Sequence, residues 1–308
     1  MDPVIGFLAA AIRIGTPLAW AALGEVVAER AGVINLSVEG AMLAGALGGA
    51  LGAATTGDPW LGVAIGAVAG AAISALFALV AIWGRTDQII AGTAITLAAV
   101  GLTGLGYRQA VAGSATGLDV RTLEPVAIPG LSSIPILGPA LFNQPVLTYL
   151  VLVAAPLAWW LLFRTTWGLR LRAGGESAEA ARAAGVDVRW TQTVAVVVGG
   201  LLAGVAGATL VLAQVGSFAE RMTAGRGFIA IAIVVLGRWH PMGVLVAALG
   251  FGAATALQFV FQALGLDVPY QFFLMLPYLL ALLALTGIVG RVRSPAGLGR
   301  SLAGADGD

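Results

Sequence analysis

The sequence predicts an all-α, polytopic membrane protein of about nine spans, within a range of about eight to ten. Three observations predict it. The chain has 308 residues, 59% of them hydrophobic and 10% charged, with a mean hydropathy of +0.96, whereas a water-facing surface draws on about 25% charged residues. Apolar stretches of about 20 residues, the length that crosses a bilayer core, recur along the whole chain. The Arg residues gather in alternate gaps between those stretches.

The stretches fall at 4–23, 38–57, 60–83, 89–107, 145–163, 191–214, 226–237, 242–263 and 269–289. The start, MDPVIGFLAAAIRIGTPLAW, has neither the basic beginning nor the small-residue cleavage site of a signal peptide, so it reads as a retained first helix interrupted by Arg13. Residues 24–39, GEVVAERAGVINLSVE, read either as a loop or as a broken segment entering the membrane. The span at 226–237 is short and either begins earlier or sits within a cavity.

With the N-terminus outside, alternation puts 24–37, 84–88, 164–190, 238–241 and the tail on one side, together with eleven of the 16 Arg residues. Only Arg108, Arg121, Arg221 and Arg226 stay on the other. Excess Arg marks the cytoplasmic side. Trp20, Trp83, Trp159, Trp160, Trp167, Trp190 and Trp239 fall near the same interface, where Trp anchors helices. One transmembrane domain thus covers 1–290, and 291–308 form a polar, Gly-rich cytoplasmic tail expected to be mobile.

Composition also narrows the chemistry. A net charge of +1 gives no argument for nucleic acid, and the expected surroundings are membrane lipid. Without Cys there is no disulfide framework, thiolate metal site or thiol nucleophile. His240 is the single His, more suited to a structural place in its tight turn than to catalysis, and the carboxylates show no metal-binding spacing. All 16 basic residues are Arg, so the G-x-x-x-x-G-K-[ST] phosphate loop of an ATPase cannot occur. An ion-coupled secondary transporter would place an ionisable residue deep in a span; Arg13, in the first, is the one such residue that these boundaries give, and it is poor support for that class.

Many of the 44 glycines recur at every fourth position, as in Gly62, Gly66 and Gly70, Gly45 and Gly49, and Gly200 and Gly204. This spacing lets helix backbones approach closely, either within one bundle or along a dimer seam. A faint repeat accompanies it: Gly32-Val33 and Gly185-Val186 each precede a Gly-Arg pair, Gly84-Arg85 and Gly237-Arg238, by 52 residues. Duplicated halves are common among transporters.

The segment GLRLRAGGESAEAARAAGVDVRW, 168–190, carries seven of the 31 charged residues. A basic, alternating run with Arg170 and Arg172 leads to Ser177, placed to cap a short helix with Glu176 and Glu179 at its positive end. That helix, containing Arg182, stops at Gly185, and Asp187 leads back towards the membrane. Two turns of helix are not stable alone in water, so it either docks on a partner or is an ordinary inside loop.

Here the sequence resembles the permease subunits of ABC importers in the ribose and branched-chain amino acid class. TTWGLRLRAGGESAEAARAAGVDV is similar to their cytoplasmic loop, and GEVVAERAGVINLSVEGAMLAGA to the early block of the nucleoside and simple-sugar branch. GGLLAGVAGATLV, GRGFIAIAIVVLGRWHPMGVLVAALGFGAATALQ and LPYLLALLAL resemble later blocks, in the same order, so that the likeness covers most of 16–290. It implies a type II-like importer permease forming half of a translocation pathway. It also implies a second, similar or identical permease, two cytoplasmic ATPases that bind ATP-Mg, an extracytoplasmic solute-binding lipoprotein, and a bacterial cytoplasmic (inner) membrane. No cofactor is expected on this chain, which carries no ATPase site. The resemblance makes Arg170, Arg172, Glu176, Ser177, Glu179, Arg182 and Asp187 the coupling residues. Nucleosides are the first expectation for the solute, then simple sugars or branched-chain amino acids.

Polar residues in or near the spans are candidates for the pathway. Asn35, Ser37 and Glu39 in NLSVEG either line it or cap the second helix. Thr93, Thr96 and Gln214 lie deeper, while Gln258 and Gln262, one turn apart, either line the pathway or bond between helices. Outside, the Pro-bearing stretch 108–144 is expected to pack over the bundle mouth. Glu220, Arg221 and Arg226 are candidates for contact with the binding protein; Arg226, unfavourable at a helix start, calls for a specific partner.

Overall fold

The computed structural model describes residues 3–112, 118, 120–135, 137–263, 271–272, 275, 279, 282 and 293–300. Its helices are α1 (Pro3–Arg30), α2 (Val38–Thr56), α3 (Pro59–Ala78), α4 (Gln88–Ala110), α5 (Leu137–Leu141), α6 (Val146–Arg164), α7 (Thr166–Glu176), α8 (Ala178–Ala183), α9 (Val188–Leu210), α10 (Arg226–Leu236) and α11 (Pro241–Ala263). Wider π turns extend α3 through Leu79–Trp83 and α9 through Val211–Val215. Seven of these helices are long and apolar enough to cross a membrane, and α10, with 11 residues, is a shorter apolar helix. The ninth expected span, 269–289, lies mostly outside the described residues.

Local chemistry sets many of the helix starts. Asp58 accepts from Trp60 N with Pro59 in the first turn, Asp87 accepts from Ile89 N and Ile90 N, and Asp187 accepts from Trp190 N. Each carboxylate satisfies an N–H that has no partner inside its helix and meets the positive end of the helix dipole.

The core is a sandwich of α2, α3 and α9, with α1 between α9 and α11. Small residues decide this packing. A Cβ on Gly45 would stand 2.4 Å from the carbonyl oxygen of Gly204, and one on Gly207 only 1.8 Å from that of Met42. The fourth-residue glycines therefore hold one bundle together, the first of the two uses their spacing allows, through backbone approach where apolar side chains gain little over lipid.

The faint repeat corresponds to repeated geometry. Gly32 and Gly185 both have positive φ, at 89° and 81°, and Arg85 and Arg238 share the left-handed region at 55° and 58°. α4 and α11, which follow those arginines at the same distance, are both 23 residues long. The matching units are thus α2–α3–α4 and α9–α10–α11.

Several expectations change. α1 continues to Arg30, so 24–30 are helical and not a loop; Glu25 and Glu29 belong to a membrane-crossing helix and are buried. Arg13 is therefore not the one ionisable residue of the spans. Trp20 and Trp239 are buried within the protein, and Trp20 donates to the Leu147 carbonyl at 3.1 Å. The outer stretch contains a small antiparallel pair, β1 (Pro125–Ala127) with β2 (Asn143–Pro145), the one strand pair among the described residues. Buried Val120 and Leu123 close that stretch over the bundle, with Leu123 N donating to Leu212 O at 2.7 Å. The part of the tail described, 293–300, is docked: Gly297 N donates to Gly175 O at 2.9 Å and Gly299 N to Gly32 O at 3.0 Å.

Candidate functional site

Between α1 and α2 the chain leaves helical geometry over residues 31–37 and turns back into the bundle. Unwound backbone at this depth needs protein partners, because lipid offers none. They come from three helices, α1, α4 and α9. Glu25 Oε1 accepts from Asn35 N at 3.0 Å, Gln88 Oε1 from Ile34 N at 2.9 Å, Gln192 donates to Ala31 O at 3.0 Å, and Thr96 donates to Leu36 O at 3.0 Å. Asn35 Oδ1 accepts from Ser37 N and Ser37 Oγ, and Asn35 Nδ2 donates to Ser74 Oγ at 3.4 Å. Asn35, Ser37, Ser74 and Thr96 are all buried. Ser37 sits at the N-cap of α2 without a capping side-chain bond. Its hydroxyl serves Asn35 instead.

Glu39 does not serve its own helix. Its Oε1 accepts from Thr223 Oγ1 at 2.6 Å and from Gly225 N at 2.9 Å, and its Oε2 accepts from Gly227 N at 2.6 Å. It is a side-chain cap, lent by α2, on the start of α10. At the other end of α10 the turn 237–240 is gripped by α1: Trp239 Nε1 donates to Glu29 Oε2, and Arg30 Nε donates to Trp239 O at 2.8 Å. Glu25 Oε2 and Glu29 Oε1 are buried and accept no hydrogen bond in the structure.

The other candidates separate from this network. Thr93 is exposed on α4, its hydroxyl turned back to Ile89 O. Gln214 donates to the Arg13 carbonyl. Gln258 is buried on α11; Gln262 lies in the same helix, with its side chain outside the described residues. At the outer end Glu220 is paired with Arg108 at 2.8 and 3.1 Å, and that guanidinium holds its carboxyl below the usual range. Arg226 donates to Met222 O and Thr223 O, and Arg221 stands exposed at φ 59°.

At the Arg-rich end, the short helix predicted around 177–184 is α8. Ser177 Oγ accepts from Ala180 N at 3.3 Å, Glu179 lies in the first turn, and Gly185 ends the helix with its N–H on Arg182 O at 2.8 Å. The basic run before it is itself a helix, α7, capped by Thr165. Arg170, Glu176, Ser177, Glu179 and Asp187 are exposed. Arg172 turns inward, donating to Leu162 O at 2.9 Å and stacking 4.9 Å from the Phe163 ring centroid. Arg30 reaches the same ring at 5.4 Å, and His240 packs on it at 5.4 Å between centroids. Burial, then the nearby Arg30, lowers the imidazole pKa. A cleft of about 380 Å³ beside α8 is lined by Trp83, Arg85, Arg182, Asp187 and Arg189, among others.

Sequence reasoning missed Glu25, Glu29, Ser74, Gln88, Gln192, Thr223 and Trp239. One signal was available: Glu25 and Glu29 are four apart, on one helix face, in a segment left between loop and broken helix.

The molecule thus combines a short helix with exposed flanks at its Arg-rich end and a broken segment within a bundle of several membrane-crossing helices. The profile described as "Branched-chain amino acid transport system / permease component" matches residues 7–285. The chain belongs to this family. Its relatives include a putative glucose ABC transporter permease protein of Haloferax volcanii, 42% identical over 269 residues, covering 86% of this chain and 80% of the relative. A guanosine ABC transporter permease protein of Bacillus subtilis strain 168 is 37% identical over 298 residues, 93% of this chain and 92% of its own. A nucleoside ABC transporter permease protein of Lactococcus lactis subsp. cremoris is 35% identical, with 91% of each chain covered. No solved structure matches the chain. The protein is an ABC transporter permease, a multi-pass membrane subunit and not itself an enzyme.

Proposed function

We propose that this permease admits nucleosides, working in a bacterial cytoplasmic membrane with a second, similar or identical permease. Two cytoplasmic ATPases, which bind ATP-Mg, and an extracytoplasmic solute-binding lipoprotein complete the complex. The observation that carries the solute is the pair of guanosine and nucleoside permease relatives, each matching about nine-tenths of both chains. The buried carboxyl side chains of Glu25, Glu29 and Glu39 also suit a neutral solute better than an anionic one. A simple sugar is the second reading, favoured by the 42% identity to the putative glucose permease.

The ATPases are assigned to the Arg-rich end, where α8 and its flanks, Arg170 to Asp187, meet them; Arg172 then carries motion inward rather than making that contact. Asn35, Ser37, Thr96 and Gln258 remain near the route as positioning groups, and exposed Arg221 is the best-placed contact for the binding protein. The test is uptake of radiolabelled guanosine and glucose into vesicles carrying the complete complex. ATP-dependent guanosine uptake with little glucose uptake is expected. Uptake by this chain alone, driven by an ion gradient, would overturn the assignment. Arg182→Glu with Glu179→Arg should leave the protein inserted while separating hydrolysis from uptake.

A further inference from the structure

α10 has 11 residues, a length of about 16 Å at 1.5 Å per residue, about half of a 30 Å hydrocarbon core. Its last turn lies at the Arg-rich end beside Arg30, so its first turn lies inside the bundle, against the start of α2. Free N–H groups there have no water to turn to. Glu39 supplies the acceptors, and the fit is close: a Cβ on Gly227 would stand 2.6 Å from the Glu39 backbone and 2.8 Å from its Oε2.

Both ends of α10 are therefore held by carboxylates that flank one break in the chain, Glu29 before it and Glu39 after it. The same break is tied to the helix that precedes α8. Gly299 bonds to Gly32 while Gly297 bonds to Gly175 at the end of α7, and Arg172 of α7 shares the Phe163 ring with Arg30. Hydrogen bonds and ring contacts, joined by the short covalent stretches 297–299 and 32–39, thus lead from α7 to the buried start of α10.

We propose that Glu39 is a positioning residue of the transport cycle: it makes α10 move as one body with the α1–α2 break, so that displacement of α7 is delivered to the mid-membrane end of α10. This rests on the ABC permease assignment and not on the choice of solute. Glu39 keeps its role whether the solute is a nucleoside or a sugar.

The experiment compares ATP hydrolysis and uptake in vesicles containing the whole complex, with whichever of guanosine or glucose the unmodified complex takes up. Failure of the solute assignment appears in the unmodified complex, whereas failure of this proposal appears only in the variants. Glu39→Gln keeps the shape but weakens the cap. It should lower solute moved per ATP by about tenfold, with hydrolysis within about twofold of normal. Thr223→Val, which removes one of the three donors from the α10 side, should lower the same ratio by about threefold, and Glu39→Asp should fall between the parent and Glu39→Gln. If Glu39 only stabilises the fold, yield, hydrolysis and uptake fall together and the ratio stays constant, which overturns the proposal. Should Glu39→Gln fail to assemble, Thr223→Val alone decides, because an unchanged ratio there also overturns it.

Discussion

The second helices of the two repeated units differ more than any other pair. α3 runs 20 residues and continues through a π turn to Trp83, crossing the bundle in one piece. α10 runs 11 residues and begins inside it. The turns that follow share their left-handed arginine and then diverge. After Arg85 comes Thr86, whose hydroxyl returns to Val80 O on its own unit, and Asp87, which caps α4. After Arg238 comes Trp239, which reaches across to Glu29, and His240, which packs on Phe163. In the first unit Thr86 and Asp87 bond within the unit. The second depends on α1 and α2 at both ends, and a short helix that cannot complete its own hydrogen bonding is the element others can pull.

The largest test of this contrast lies in the leading helices. Gly207→Ala in α9 would drive a methyl into the Met42 carbonyl and cost more than about 3 kcal/mol. At the matching place in α2 the chain already carries Ala54, half-buried, and Ala54→Gly should cost about 1 kcal/mol. Thermal unfolding in detergent measures both. Next come the turns. Trp239→Phe removes the indole donor from a buried carboxylate and should destabilise by about 2–3 kcal/mol, whereas Thr86→Ala at the equivalent place should change stability by less than about 0.5 kcal/mol. Equal losses would erase the distinction between the units.

Smaller effects sharpen it. Asp87→Ala removes the α4 cap at a cost of about 1 kcal/mol, and Ser177→Ala should cost α8 a similar amount, read as faster local amide exchange. His240 adds a pH signature. Its folded value lies below the ordinary 6.5, so its contribution is present above pH 6.5 and declines as pH falls through the depressed value. His240→Gln should remove that acid-side slope from the pH dependence of unfolding. A slope unchanged in the variant would place the titrating group elsewhere.

Much of the fold was legible because spans, Arg distribution and caps are local properties. Ser177, Gly185 and Asp187 announced α8 and the start of α9, and the glycine spacing announced a close-packed bundle. The break was not legible in the same way. NLSVEG shows polar residues at a helix start, but nothing local says that Glu39 would cap a helix nearly two hundred residues later, or that Gln88 and Gln192 would complete the backbone of 31–37. Those partners are set by how α1, α4, α9 and α10 pack. Arg172, which the resemblance placed in the coupling segment, was no more legible in its contacts: only the packing of α6 and α7 brings it to Leu162 O and the Phe163 ring.

The segment 293–300 has a consequence for biosynthesis. Gly32 and Gly175 emerge from the ribosome long before Gly297 and Gly299, the residues that seal them. The Arg-rich end around Gly32 and Gly175 thus takes its final form only when 293–300 are in place. A nascent chain inserted in the bilayer but lacking 293–300 would leave the carbonyls of Gly32 and Gly175 without these two donors, so that end of the bundle is completed after the rest.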